Sequence, residues 1–159
     1  MHGKNPMENL SKQELNLLRI LQRNARFDIT SLTEELGMSR TAVYDRIKKL
    51  ESNGYIKGYV ALVDHKKVGL NFTVIVHVSL HTQQIGYVEE FLSQISVLDE
   101  IMEAYVTGGI FDVILKVVVA DPDAFNDFVT KKLSAIPHIS KIQSSFVMRY
   151  IKQSTVLPF

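Results

Sequence analysis

Ser39, Arg40, Thr41 and Tyr44 stand close together in the chain, and Asp45, Arg46, Lys48 and Lys49 follow within the next turn. These side chains suit contact with nucleic acid. An arginine pairs bidentately with guanine, threonine and tyrosine reach bases or phosphates, and lysines hold phosphates. From Arg40 to Lys57 there are five basic residues (Arg40, Arg46, Lys48, Lys49, Lys57) against two acidic ones (Asp45, Glu51). Such a stretch holds phosphates even in a nearly neutral chain, and this chain has a formal charge of only +1. A solvated helix face explains the same charges equally well. Arg46 serves either a phosphate or a salt bridge to the scaffold.

A second constellation is Gly108-Gly109 followed by Asp112. Two adjacent glycines can expose backbone N–H groups to a carboxylate, and an aspartate beside them can pair with an ammonium. A β-turn capped by Asp112 is the alternative. The five histidines (His2, His65, His77, His81, His138) include no pair with the spacing of a catalytic motif, although His77 and His81 share a strand face. The absence of cysteine excludes a disulfide scaffold, a thiol nucleophile and the common zinc-finger sites. No glycine-rich nucleotide loop or metal-ligand cluster is present, so no cofactor and no metal is expected.

The elements around the first constellation read as three helices. Ser11 and Glu14 form a capping box, Leu10 and Leu15 sit at the staple positions, and Leu17, Leu18 and Leu21 continue the stripe, ending near Asn24. A second helix is predicted from Thr30, as its cap, to Leu36, where Gly37 permits a left-handed stop. Ser39 caps a third, Arg40 to Asn53, ended by Gly54. Its buried stripe is Val43, Ile47 and Leu50. Two helices joined by Gly37-Met38-Ser39 have the form of a helix-turn-helix, whose second helix contacts base edges near its N-terminus. Residues 55–63 are extended and apolar and read as a linking strand. The tight hairpin of a complete wing is not evident there.

From Phe72 the order is strand, helix, strand, strand, helix, strand. Phe72, Val74, Val76, Val78 and Leu80 alternate with Thr73, Ile75, His77, Ser79 and His81. Ile85, Val88, Leu92 and Ile95 stripe the first helix. Strands follow at Ile101 to Thr107 and Phe111 to Ala120. A helix starts at Asp121-Pro122, buries Phe125, Phe128, Val129, Leu133 and Ile136, and stops at Pro137. Ile139 to Ile151 closes the sheet, with Ile142, Phe146, Met148 and Tyr150 alternating. This is the split βαβ, ferredoxin-like order, with both helices on one face. Apolar groups such as Ile75 on the other face imply a partner there, most simply in a symmetric dimer.

Leu17 to Arg26, Gly37 to Glu51, Gly54 to Tyr59, the Gly109-Ile110-Phe111-Asp112 turn, Ser144 to Met148 and Ile151 to Ser154 together resemble the Lrp/AsnC, or feast/famine, regulators. The resemblance spans almost the whole chain in the right order. Leu10-Ser11 with Glu14 departs from the family's usual Leu-Asp and second Asp, but either pair caps a helix. The resemblance implies a sequence-specific DNA-binding transcriptional regulator, active as a homodimer that assembles further to a tetramer, octamer or larger. It also implies an amino acid or related metabolite bound between subunits of the second domain. Matched to the family's effector-responsive positions, Tyr105, Ser134, Ser144, Ser145 and Phe146 line or border the pocket, and with Thr107, Gly108, Gly109 and Asp112 they make the expected effector set.

The expected fold class is α+β: an N-terminal helix-turn-helix (winged-helix-like) domain over 1–54, a linker over 55–71, and a C-terminal ferredoxin-like βαββαβ domain over 72–159. The expected partners are double-stranded DNA, a small-molecule effector and further copies of the chain. No run of eighteen apolar residues predicts a membrane span, and residues 1–10 lack a signal-peptide core, which points to the cytoplasm. Two rival readings exist. Some haem-pathway decarboxylases resemble the family in both domains, but the intact basic helix argues against an enzyme. A metabolite-binding module whose helices serve protein contacts is the other.

Overall fold

The computed structural model describes residues 9–82 and 84–159; His2 lies outside the described residues. The chain forms two compact units, Met1–Leu62 with Lys152–Phe159, and Val63–Ile151. This division differs from the expected one: residues 55–71 are shared between the units, and residues 152–159 group with the first.

The first unit holds α1 (Lys12–Leu21), α2 (Ile29–Leu36) and α3 (Arg40–Ser52). The capping box forms as its spacing demands: the Glu14 amide donates to Ser11 Oγ (3.2 Å) and the Ser11 amide to Glu14 Oε2 (2.7 Å). The cap of α2 is Asp28, not Thr30. Asp28 Oδ2 accepts from the Ser31 amide at 3.0 Å and from Ser31 Oγ at 3.2 Å. A carboxylate at this position satisfies an orphan amide and also complements the helix dipole, which the Thr30 hydroxyl cannot do. Gly37 ends α2 at φ 61°, and Ser39 caps α3 by accepting from the Ala42 amide (3.2 Å). Leu17, Leu21, Leu32, Val43, Ile47 and Leu50 interlock as the core.

Past Gly54 (φ 74°) the expected strand does not form. Residues 56–64 form no regular secondary structure, and Val60 and Leu62 are 84% and 76% exposed. β-rich composition makes a strand only where a neighbour offers its backbone, and the described residues offer none.

The second unit holds β1 (Phe72–Leu80), α4 (Ile85–Ile95), β2 (Ile101–Val106), β3 (Val113–Val119), α5 (Pro122–Asp127) and β4 (Ile139–Phe146). The sheet order is β2-β3-β1-β4, with every neighbouring pair antiparallel. This is the ferredoxin-like arrangement. Val74, Val76 and Val78 of β1 lie with Val113, Leu115 and Val117 of β3 beneath Phe91, Ile95, Phe125, Phe128 and Leu133. The stripe of α4 is rotated from expectation. Phe91 is fully buried, Val88 and Leu92 flank the core, and Ile85 is 80% exposed.

The second helix is not one continuous α-helix. A π-helical turn over Phe128–Lys132 and a short 3-10 turn over Leu133–Ala135 follow α5. The Leu133 amide reaches back to the Phe128 carbonyl, five residues away, which puts both buried side chains on one face. The closing strand stops at Phe146 instead of Ile151. The Val147 amide still donates to the Thr73 carbonyl (3.0 Å), but Met148 is 98% exposed and Tyr150 crosses back to hydrogen-bond Thr73 Oγ1 (3.1 Å).

Candidate nucleic-acid interface and ligand site

Three of the eight predicted nucleic-acid contacts are tied to the scaffold. Arg46 Nη2 donates to Gln13 Oε1 (2.7 Å), and Lys49 Nζ pairs with Glu14 Oε1 (2.9 Å). Residues 46 and 49 lie on one flank of α3, and both ties run to α1. Arg40 Nη2 donates to Thr30 Oγ1 (3.0 Å) in the first turn of α2. Arg46 thus contacts the scaffold through the neutral Gln13 amide oxygen, not through the salt bridge foreseen for it. Lys49, expected at a phosphate, is already paired, although its side chain stays 60% exposed. Ser39 acts as the cap.

The side chains of Thr41, Tyr44, Asp45 and Lys48 are exposed and make no hydrogen bond or ion pair among the described residues. At 100° per residue, Thr41, Tyr44 and Lys48 cluster on the side of α3 away from Val43, Ile47 and Leu50. Glu51, one turn after Lys48, accepts from the Tyr59 hydroxyl (2.9 Å). Burial, and then the Glu51 carboxylate, push that phenol up to about 12.

The Lys49 ammonium, followed by the Ser11 amide, holds the Glu14 carboxyl down at about 2. A carboxyl depressed in the folded state stabilises the fold above its ordinary value of 4.5 and loses that contribution as pH falls toward 2. Glutamine at this position keeps the capping box but not the charge. The stability difference between the native protein and Glu14→Gln is therefore expected to be largest near neutral pH and to shrink between pH 4.5 and 2. Urea titrations at several pH values check this, and a pH-independent difference would exclude the ion pair as its cause.

In the second unit, Thr107, Gly108, Gly109 and Asp112 line a cleft of about 410 Å³ with Leu80, Val88, Val106 and Val113. The Leu80 amide donates to Asp112 Oδ2 (2.8 Å), the Asp112 amide to the Val78 carbonyl (3.0 Å) and the Thr107 amide to the Asp112 carbonyl (2.9 Å). Thr107 Oγ1 donates to the Phe111 carbonyl (2.6 Å). Asp112 thus stitches the β2–β3 connection to the end of β1. Neither Gly108 nor Gly109 has a positive φ, and a Cβ on either meets nothing within 4 Å. The turn geometry therefore does not require glycine at these two positions, and the backbone there stands open to approach.

The other predicted effector residues lie elsewhere. Tyr105 points to the sheet face without helices, hydrogen-bonded to Glu103, which also pairs with Lys116 (2.7 Å). Ser144 and Phe146 pair with Val76 and Val74 on β4, and Phe146 packs on Phe72 with ring centroids 5.2 Å apart. Ser145 is opposite Ile75 on the open face, and Ser134 is exposed in the 3-10 turn. β2 and β4 form opposite sheet edges, about 14 Å apart at the usual strand spacing. One chain therefore does not gather the nine residues into a single pocket. The ferredoxin-like order expected from the sequence already implies this separation, since its second and fourth strands are the edges of the sheet.

The open face carries Ile75, Ile114, Val118 and Tyr105 beside His77, Lys116 and Glu103, with Thr73 under Tyr150. Among the described residues no group of three or more His, Asp or Glu is placed to hold a metal, and no helix is long and apolar enough to cross a membrane.

Comparison with known proteins agrees with this geometry. Residues 73–157 match the family model of the Lrp/AsnC ligand binding domain, and residues 10–57 match a winged helix-turn-helix DNA-binding model. The chain is 30% identical to the DNA-binding transcriptional activator DecR of Escherichia coli, over 94% of this chain and 98% of the relative. It is also 30% identical to the leucine-responsive regulatory protein of Escherichia coli, over 97% and 94%. Among solved structures, a transcriptional regulator of Neisseria meningitidis in complex with L-Met superposes with a TM-score of 0.88 at 30% identity, covering 94% of this chain and 96% of that one. An AsnC family regulator of Agrobacterium tumefaciens gives 0.88 at 33% identity, covering 94% and 97%. These relatives are regulators, not decarboxylases. A capped helix-turn-helix in a helical first unit and a second unit with the ferredoxin-like order thus have one common explanation: the chain belongs to the Lrp/AsnC family of DNA-binding transcriptional regulators.

Proposed function

We propose that this regulator reads double-stranded DNA through the outward flank of α3 and is tuned by an amino acid bound at the Thr107–Asp112 cleft. The observation that carries the first part is the polar anchoring of α3. With Arg46 and Lys49 bound to α1 and Arg40 to α2, the helix is fixed in orientation and presents Thr41, Tyr44 and Lys48. Arg40 keeps further guanidinium donors for a base or phosphate. Arg46 and Lys49 act as positioning residues; Asp45 tunes the local charge.

The amino-acid effector is supported by the L-Met complex of the Neisseria regulator and by the open backbone at Gly108 and Gly109 beside Asp112. The half-covered sheet supports a homodimer packed through the face bearing Ile75, Ile114 and Tyr105. A second contact, between such dimers and through the β4 edge and the helical layer, brings Ser134, Ser144, Ser145 and Phe146 of one copy to the pocket of another.

A thermal-shift screen of the twenty amino acids tests the effector. Ligand at a hundred times its Kd adds about 2.7 kcal/mol to stability, so one amino acid or a small group is expected to raise the melting temperature. Gly109→Ala is expected to leave the unliganded melt unchanged and abolish the shift, because its Cβ enters open space needed by the ligand. If no amino acid has an effect at millimolar concentration, the effector reading fails.

A further inference from the structure

We propose that the outer face of α1 is a receptor for residues 152–159 of the same chain, and that this docking is a latch linking the ligand-binding sheet to the reading unit. The linkage rests on the amino-acid reading above; the docking does not.

Gln22, the residue that caps α1, grips Leu157 at two points. Its Oε1 accepts from the Leu157 amide (2.8 Å) and its Nε2 donates to the Leu157 carbonyl (3.1 Å). This is the pairing a neighbouring strand would offer, so the main chain is recognised whatever the side chain. One turn earlier, Arg19 Nε donates to the Phe159 carbonyl (2.8 Å), while its Nη1 is steered by Asn16 Oδ1 (3.4 Å). Leu157 and Phe159 border an apolar cleft of about 810 Å³ that also involves Leu15, Leu18 and Leu21. The segment therefore has an amide grip, a guanidinium grip and apolar support, all supplied by α1.

The same segment continues directly from β4. The chain passes between the two units at 62/63 and again at 151/152. The connector after Phe146 is tied to β1 at Val147 and Tyr150, while Met148 and Ile151 are 98% and 90% exposed. β4 is an edge strand, paired only with β1, and edge elements open more easily than central ones. It carries Ser144, Ser145 and Phe146. A ligand that orders or shifts this edge changes how freely residues 152–159 reach α1. The grips are exposed side-chain-to-backbone bonds, individually weak, so the docking is reversible.

The chain's lack of cysteine allows a direct test. Arg23→Cys/Thr155→Cys, at two positions that border the same cleft and make none of the grips, is treated with a short bis-maleimide, with the unreacted double variant as control for fold and melting. A bridged monomer on a denaturing gel is expected. A covalent dimer would assign the receptor to another copy's segment, and no bridge would remove the docking altogether; either overturns the proposal. The bridged and unbridged proteins are then titrated with operator DNA with and without L-methionine, or the amino acid that the screen selects. Bridging is expected to cut the ligand's effect on operator affinity at least fivefold while the ligand-induced melting shift persists. An unchanged effect on affinity overturns the latch with the ligand reading intact. No melting shift in any form overturns the ligand reading and the linkage together, leaving the docking to be decided by the bridge alone.

Discussion

Arg40→Ala is expected to weaken operator binding by roughly 10- to 100-fold, on the order of the 1–3 kcal/mol carried by one bidentate base contact, and to relax specificity at the base it faces. Only one of its terminal nitrogens is spent on Thr30, and the side chain begins the reading helix where a base edge is approached. Lys48→Ala should behave differently. Its side chain is exposed and unpaired among the described residues, so it suits a phosphate. Its loss weakens operator and unrelated DNA alike and lowers the slope of log K against log salt by about 0.9. Fluorescence anisotropy on both DNAs at several salt concentrations separates the two effects. Operator affinity unchanged by Arg40→Ala would move the reading surface away from the start of α3. Lys49→Ala is the informative neighbour: its partner is Glu14, so it should lower stability more clearly than the salt slope.

Phe91→Ala is expected to cost about 3–5 kcal/mol, the range for truncating a buried aromatic ring. Phe91 is fully buried where α4 packs on the central strands, and its removal leaves a void in the core of the second unit. Ile85→Ala, by contrast, should change stability by no more than about 0.5 kcal/mol, because Ile85 is 80% exposed. The chain has no tryptophan, so urea unfolding followed by far-ultraviolet circular dichroism is the suitable measurement. Similar costs for the two variants would show that α4 buries the face first read from its sequence.

The case of α4 shows where sequence reading stops. Its apolar residues (Ile85, Tyr87, Val88, Phe91, Leu92, Ile95) support two overlapping stripes at helical spacing. Periodicity establishes that a helix exists; its rotation is set by the sheet it packs on. The π turn after α5 is similar. Phe128 and Leu133 are both apolar in either geometry, and only burial of both against the same strands selects the five-residue step. Asp28 was legible but passed over: it precedes the helix by one residue and holds the Ser31 amide, whereas Thr30 lies inside the first turn.

The two constellations that opened the reading divide along the same line. Local spacing set the capping box at Ser11, the left-handed stop at Gly37, the cap at Ser39 and the buried stripe of Val43, Ile47 and Leu50. It also determined the alternation of β1 and the order of elements in the second unit. Each of these depends on groups a few residues apart, so it is written in local spacing. Packing between elements decided which basic residues of α3 are held by α1 and α2. It also decided that residues 152–159 return to Gln22, 135 positions away. Contacts of that separation depend on how whole elements pack, because the free energy of burying their faces outweighs the preference of any one side chain.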